Sequence, residues 1–382
     1  MELLPRWATL SLYAAAALGM QWYVVRWLAR IDFFARSPGR RAMLAWSGRL
    51  LTLGIILVPI LFSGQQEHYL PSNGSQWVMA AALLYGAILS TLFLSAWSRE
   101  HHTDLARRRG LKTLLTAAST APLAAATAGI VVARSSPRLE EVEVRIPGLP
   151  PGLDGLRIAQ LTDLHYGPFF SADDLRRAVA LANEARPHLA VVTGDLITRR
   201  GDNLRESLRL LSGLRAEAGV FGCHGNHEIY ARCEHAATLI ASGYGIRFLR
   251  YEAADLRFGG AVLRLSGVDY QRQGSHYLSG RAAGLVRPGV FNLLLSHNPD
   301  VFPRAAELGF DLTLSGHTHG GQVNVEILSE HLNVARFITP FTKGWYELGR
   351  AGLYVSPGLG TVGAPIRLGA PPEVSLIRLC AV

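Results

Sequence analysis

The stretch Leu314-Ser315-Gly316-His317-Thr318-His319-Gly320-Gly321-Gln322 sets two imidazoles one residue apart, between a short apolar run and a pair of glycines. Imidazole is the commonest side-chain metal ligand. On an irregular turn two such rings can aim at one point, whereas at this spacing on a helix they would diverge. The glycines allow the backbone to pass close to whatever the rings hold. Taken alone, the stretch is equally a polar loop with two solvated histidines, so its meaning depends on partners elsewhere.

Those partners share an address. Asp163 and His165, Asp195, Asn226 and His227, and His297 each follow directly after an apolar run of strand character, as His317 and His319 do. In α/β folds the loops at the carboxyl ends of strands line the ligand crevice. The donors are nitrogen and oxygen with no thiolate, a set suited to manganese, iron, zinc or magnesium. Asp163, His165, Asp195, Asn226, His297, His317 and His319 exceed the four ligands of one zinc site, so two ions fit the set better. Two such ions about 3.5–4 Å apart, bridged by a carboxylate, can clamp the attacking and leaving oxygens of a phosphoryl displacement.

Positioning these residues requires alternating elements. Strands are expected at Val142–Ile146, Leu156–Leu161, Leu189–Thr193 and Gly219–Cys223, and helices at about 171–185, 204–214 and 234–242. Ser171 followed by Asp174 reads as an N-terminal cap for the first of these helices. Beyond Gly243 strands dominate, at 247–249, 261–268, 291–296, 311–314, 322–327, 344–347, 353–356 and 374–379. The pattern predicts a mixed α/β domain over 137–382 with a packed pair of sheets.

The ordered series Asp163-Leu164-His165, Gly194-Asp195, Gly225-Asn226-His227-Glu228, Ser296-His297 and Gly316-His317-Thr318-His319 resembles the motifs of the calcineurin-like metallophosphoesterase superfamily. The likeness covers residues 156–382. The GHTHGGQ form, the turn Ser356-Pro357-Gly358-Leu359-Gly360 and Pro372-Glu373-Val374 resemble a membrane-associated bacterial subgroup. The resemblance implies an αββα sandwich, two packed sheets flanked by helices. It also implies one ion, manganese first among the four metals, on Asp163, His165 and His319, and a second on Asn226, His297 and His317. Asp195 would bridge them, a metal-bridging hydroxide would attack phosphorus, and His227 would act as the catalytic residue on the leaving oxygen. Glu228 would orient His227 or a ligand. One departure is Thr198, which stands where many relatives carry a second Asp.

Other polar residues are weighed beside these. His224 is expected to be structural. Arg199-Arg200 and the Arg272, His276 and Tyr277 group are candidates for substrate contact. Cys223, Cys233 and Cys380 are expected to be unpaired, being too few for a disulfide framework.

The first third of the chain is different in kind. Residues 1–136 hold 13 Lys+Arg against 5 Asp+Glu, and residues 137–382 hold 25 against 24, so nearly all of the net +9 lies upstream. The basic residues lie between apolar runs, which excludes the reading of a nucleic-acid surface. Runs 7–28, 42–62, 76–97 and 111–133 each have about the 20 residues of a membrane span. Arginines cluster in the first and third linkers and are absent from the second. A multi-pass cell-membrane protein with its catalytic domain outside the cytoplasm follows from the positive-inside rule. Arg107-Arg108-Arg109-Gly110-Leu111-Lys112 also resembles a twin-arginine export signal.

The sequence thus predicts a four-helix transmembrane region over 1–136 joined to an α/β metallophosphoesterase domain over 137–382. The substrate would be a phosphorylated small molecule or lipid, with membrane lipids as neighbours. One alternative resembles the UDP-2,3-diacylglucosamine pyrophosphatase of lipid A synthesis, whose site must be cytoplasmic. Another is a membrane module that binds metal without turnover.

Overall fold

The computed structural model describes residues 6–62, 85–97, 124–272, 276–322, 324–327, 330–333, 335, 339–362 and 365–382. Two compact units divide between Ala128 and Gly129.

The first unit is helical where it is described: α1 (Arg6–Leu28), α2 (Asp32–Ala35), α3 (Pro38–Phe62) and α4 (85–97). A further helix, α5, covers 124–133 across the division. No helix among the described residues is long and apolar enough to cross a membrane. Residues 63–84 and 98–123, which include the second and third linkers and the arginine cluster, lie outside the described residues. Within the unit, Gln21 of α1 is buried and donates to Gly48 O (2.5 Å) and Thr52 Oγ1 (2.6 Å) on α3, and it accepts from Tyr85 Oη on α4 (2.8 Å). Trp22, Met43, Trp46, Leu50 and Leu53 face outward.

The second unit begins with β1 (Arg138–Ile146), β2 (Arg157–Leu161), α6 (Ala172–Glu184), β3 (Leu189–Val192), α7 (Leu204–Leu211), β4 (Val220–Gly222) and α8 (Asn226–Tyr230). Then come α9 (Glu234–Gly243), β5 (Ile246–Phe248), β6 (Glu252–Phe258), β7 (Ala261–Gly267), β8 (Phe291–Leu295), α10 (Phe302–Leu308) and β9 (Leu312–Ser315). The chain closes with the hairpin β10 (Asn324–Ile327) and β11 (Glu330–Asn333), then β12 (Gly344–Leu348), β13 (Ala351–Val355) and β14 (Glu373–Ala381). The capping box of α6 is present: Asp174 N donates to Ser171 Oγ (3.3 Å) and Ser171 N to Asp174 Oδ2 (2.8 Å).

Two six-stranded mixed sheets result, ordered β1-β14-β2-β3-β4-β5 and β12-β13-β9-β8-β7-β6. Strands β2, β3 and β4 run parallel, as do β7, β8, β9 and β13. Alternation sorts each strand between two cores, because successive side chains point to opposite faces. Ile158, Leu189 and Val191 meet Leu263, Leu293, Leu295 and Leu312 between the sheets. Ala159, Leu161, Ala190 and Val192 turn outward onto Leu175, Ala178, Leu208 and Ala241 of the helices. Leu353 and Val355 pack on Phe302 of α10 at the outer face of the second sheet. The arrangement is an α/β fold of two mixed sheets flanked by helices. Strand β6, strand β11 and helices α8 and α10 are additions to the elements expected from sequence. The three cysteines are free.

Candidate metal centre

All eight candidate residues leave the carboxyl ends of parallel strands. Asp163 and His165 follow β2, Asp195 follows β3, Asn226 and His227 open α8 after β4, His297 follows β8, and His317 and His319 follow β9. The two sheets bring these loops together. Three overlapping groups of side chains could each hold an ion: Asp163, His165 and His319; Asp195, His297 and His317; and His165, Asp195 and His227.

The distances show how tightly the polar atoms converge. His165 Nε2 lies 3.1 Å from His319 Nε2, which is 3.3 Å from Asp163 Oδ1. Asp195 Oδ2 lies 3.0 Å from His297 Nε2, 3.6 Å from His165 Nε2 and 4.0 Å from His227 Nε2. That single oxygen therefore faces imidazoles of every group containing Asp195. The backbone is held in unusual conformations to achieve this. Asp163, His165, Asp195, His317 and His319 all have positive φ, between 45° and 75°. Left-handed backbone at non-glycine residues persists only where the surroundings over-determine it, and it gathers at functional sites. Gly225 and Gly316 are required for a different reason. A Cβ there would come within 2.1 Å of Asp195 Oδ1 and 2.2 Å of Asp163 Oδ2 respectively.

The donor chemistry suits a divalent cation. His297 Nδ1 must donate to the Thr193 carbonyl (2.6 Å), because a carbonyl only accepts. In the neutral ring this leaves the lone pair on Nε2. His297 Nε2 is buried and has no hydrogen bond despite its nearness to Asp195, and Asn226 Oδ1 is likewise buried without a partner. Orphaned buried polar atoms of this kind are costly unless something satisfies them. Burial, then repulsion from His297, depresses His317 to about 3. Burial foremost also holds His165 and His319 well below the ordinary imidazole range. These three rings are thus neutral and able to donate a lone pair.

The charged groups balance one another. Burial opposes ionisation of Asp195, but His297, His227 and His165 together hold its carboxyl well below the usual range. Burial, relieved partly by His297, raises Asp163 to about 6. Burial works against charge on His297, yet Asp195 and Asp163 lift it to about 10. The pocket of carboxylates therefore favours a positive charge beside His297, whether a proton or a metal ion.

Of the two roles expected of Glu228, orienting His227 or a ligand, the contacts fit the second, on the candidate ligand Asp195. The fully buried carboxylate of Glu228 accepts from Asp195 N (2.9 Å), Leu196 N (2.8 Å) and Gly225 N (2.8 Å), tying two ligand loops together. His227 is oriented instead by a hydrogen bond from Nδ1 to the carbonyl of Thr198, and its backbone N donates to Asp195 Oδ1 (2.9 Å). Thr198 has no charge to give, but it serves His227 through its carbonyl, and its hydroxyl lies 3.4 Å from His165 Nδ1.

Arg367 has no counterpart among the sequence expectations. It is fully buried, donates to Ala370 O (2.8 Å), Pro357 O (3.0 Å) and Gly360 O (3.1 Å), and lies 3.5 Å from His319 Nδ1. Nothing near it in sequence signals the role, although a lone Arg within a Gly- and Pro-rich segment is the trace it leaves. Tyr270 is the second addition, its ring 5.4 Å from that of His317 and 6.2 Å from that of His297. His224 is structural: buried, stacked on Phe248 at 4.7 Å and within 2.8 Å of Thr238 Oγ1. Arg200, Arg272 and His276 are exposed, and Tyr277 packs against the core beneath Val268 and Leu294.

Comparison with known proteins points the same way. The model of the calcineurin-like phosphoesterase family matches residues 156–321. Uncharacterized metallophosphoesterase YkuE of Bacillus subtilis is 30% identical over 240 residues, covering 60% of this chain and 81% of its own. An uncharacterized metallophosphoesterase of Aquifex aeolicus is 30% identical over 247 residues, covering 63% of this chain and 91% of its own. A bovine relative, transmembrane protein with metallophosphoesterase domain, is 30% identical over 294 residues, covering 73% of this chain but only 64% of its own length.

Proposed function

This chain belongs to the calcineurin-like metallophosphoesterase family, and from that premise we propose that it is a binuclear-metal hydrolase of phosphate esters or phosphodiesters. The observation that carries the reading is the convergence of two three-residue groups, Asp163/His165/His319 and Asp195/His297/His317, at the facing ends of two sheets. The first group would hold one divalent cation. The second would hold another together with Asn226, whose Oδ1 is otherwise unsatisfied. Asp195 stands between them. Manganese heads the list, with iron, zinc and magnesium as alternatives, since the donors are imidazole, carboxylate and amide. Two such cations, when bound, supply Lewis acidity toward a phosphoryl group and lower the pKa of water for attack on it.

The protein's own groups do the rest. Thr193 and Thr198 fix the tautomers of His297 and His227 through their carbonyls, so each presents Nε2 to the site. His227 is part-exposed at the rim, where its Nε2 can reach a substrate oxygen and stabilise or protonate the leaving group. The binding-only module is disfavoured, because neither a part-exposed imidazole at the rim nor its oriented tautomer is needed to hold metal.

The substrate is proposed to lie at a membrane surface. The helices of the first unit bury a hydrogen-bonded Gln21 and turn Trp22, Met43, Trp46, Leu50 and Leu53 outward, the reverse of a water-soluble bundle. Exposed apolar faces of this kind mark protein or membrane contacts. The bovine relative's name supports the same placement. With linker arginines inside, the catalytic unit faces away from the cytoplasm, where a lipid- or envelope-associated phosphate is the natural target.

One preparation tests the reading. Full-length protein should stay with membranes through carbonate extraction and, in detergent with Mn²⁺, hydrolyse a 4-nitrophenyl phosphate monoester or diester. His227→Ala should lower kcat on the order of 10²–10⁴-fold without lowering metal content. Equal rates for the two proteins would sink the enzymatic claim, and release by carbonate would sink the membrane claim.

A further inference from the structure

A cavity of about 580 Å³ is lined by Arg250, Tyr251, Asp269, Ser279 and Arg281. Its position follows from strand register. Gly267 of β7 pairs with Leu295 of β8, which pairs with Leu314 of β9. Asp269 and His297 each lie two residues past that row, and His317 lies three. The chain after β7, which carries Asp269, therefore leaves the sheet at the same end as the loop that carries His297. Because β6 is antiparallel to β7, with Glu252 opposite Gly267, Arg250 and Tyr251 lie at the same edge of the sheet.

The cavity is also wired to the site. Gln271 is buried and joins its three wall segments: Nε2 donates to Tyr251 Oη (2.6 Å) and Asp269 O (3.0 Å), and Oε1 accepts from Leu278 N (3.2 Å). Asn298, the neighbour of His297, donates from Nδ2 to Gln271 O (2.7 Å). Tyr270, between Asp269 and Gln271, carries its ring toward His317 and His297.

Its charge selects the ligand. Asp269 is engaged by Arg250 in a forked pair, Nε at 3.0 and 3.2 Å and Nη2 at 2.9 Å, so its negative charge is matched. Arg281 is exposed at the cavity and makes no ion pair among the described residues. The balance is one surplus guanidinium, with the hydroxyls of Tyr251 and Ser279 beside it. Guanidinium groups favour the oxygens of phosphates and carboxylates.

We infer that this cavity is a substrate subsite for a second anionic group, so the natural substrate carries a phosphate or carboxylate besides the one that is hydrolysed. The inference rests on the phosphoesterase reading and narrows its substrate class. Phosphate and carboxylate share the chemistry that Arg281 would recognise.

Calorimetry on the full-length, Mn²⁺-loaded protein in detergent tests it. The probes are alkylphosphonates of increasing length and the same compounds bearing a terminal carboxylate. At one chain length the carboxylated compound should bind about tenfold more tightly, the gain expected of one charge-assisted contact. Arg281→Ala should abolish that advantage and leave the simple alkylphosphonate within about twofold, while Arg281→Lys should restore part of it. No advantage at any length, or an advantage that survives Arg281→Ala, overturns the subsite. Binding needs no turnover, so an inactive protein that kept the Arg281-dependent preference would count against hydrolysis alone. Failure of every phosphonate to bind would remove both readings.

Discussion

The two sheets contribute unlike halves to one centre. The first supplies both carboxylates, Asp163 and Asp195, with His165, Asn226 and His227. The second supplies only imidazoles, His297, His317 and His319. One candidate group, His165, Asp195 and His227, lies wholly in the first half, whereas the other two span both. Asp163 and His165 are joined by His319 from across the interface, and His297 and His317 by Asp195. Ions held there would bridge the sheets, and a ligand that binds only the folded state stabilises it. The supports differ as well. A buried anion, Glu228, gathers backbone N–H groups behind the first half, whereas a buried cation, Arg367, gathers carbonyls behind the second. The sign of each support is opposite to that of the backbone dipoles it holds, as the high cost of an unmatched buried charge demands.

The most severe way to break this asymmetry is to neutralise its negative side. Asp195 Oδ2 faces imidazoles of both halves, while His317 belongs to one group. Asp195→Asn is expected to empty both ion positions and lower kcat/KM by more than about 100-fold, since loss of even an outer partner of a metal ligand costs 10–100-fold. His317→Ala should empty one position and leave the other near full occupancy. Metal analysis after gel filtration, beside the 4-nitrophenyl ester assay, distinguishes the two. Equal metal loss in both variants would mean the halves are not distinct.

A smaller effect is expected from Glu228→Gln. The carboxylate accepts three backbone N–H groups in a fully buried setting, and burial and Asp195 already push its pKa up. An amide of the same shape turns one acceptor into a donor facing N–H groups. The expected loss is about 2–3 kcal/mol of stability, read as a lower denaturant midpoint with an unchanged slope. Because Glu228 does not touch His227, kcat of the folded, metal-loaded variant should change far less than in His227→Ala. A kcat as low as that of His227→Ala would restore the orienting role expected from sequence.

The two halves were not equally legible in the sequence. The candidate ligands were readable because each sits immediately after a strand, and such loops take their position from the sheet. The strands themselves were readable because β2, β3, β8 and β9 are buried on both faces and therefore mostly apolar, with Gln160, Asn292, Thr313 and Ser315 as buried polar exceptions. Strand β6 escaped because its alternation is broken by Ala253, Ala254 and Asp255. The role of Thr198 escaped because it acts through its backbone carbonyl, whose partner is set by loop geometry rather than by residue type. Gln271 and Tyr270 stand in a loop with no periodicity. Arg367 is 48 residues from the histidine it approaches, and no local pattern connects the two.

Arg367 gives the finest test, because it asks whether the second half needs charge or shape behind it. Burial pulls its pKa down to about 10, so it remains a cation near neutral pH. Its planar fork reaches three separate carbonyls, which a lysine ammonium on a single flexible stem does not match. Those carbonyls hold the 357–370 segment, which in turn grips the first half: Leu359 N donates to Thr162 O (3.1 Å) and Gly360 N to Asp163 O (2.6 Å). Arg367→Lys keeps the charge and loses the fork. If shape matters, it should cost about 1 kcal/mol of stability and weaken the ion on Asp163, His165 and His319 about tenfold, sparing the ion on His297 and His317. Competition with a chelator, read ion by ion from Co²⁺ absorption, resolves the two positions. Unchanged affinity in Arg367→Lys together with a loss in Arg367→Met would assign the effect to charge. In that case the opposite signs of Glu228 and Arg367, rather than their hydrogen-bond geometry, would be what distinguishes the two halves.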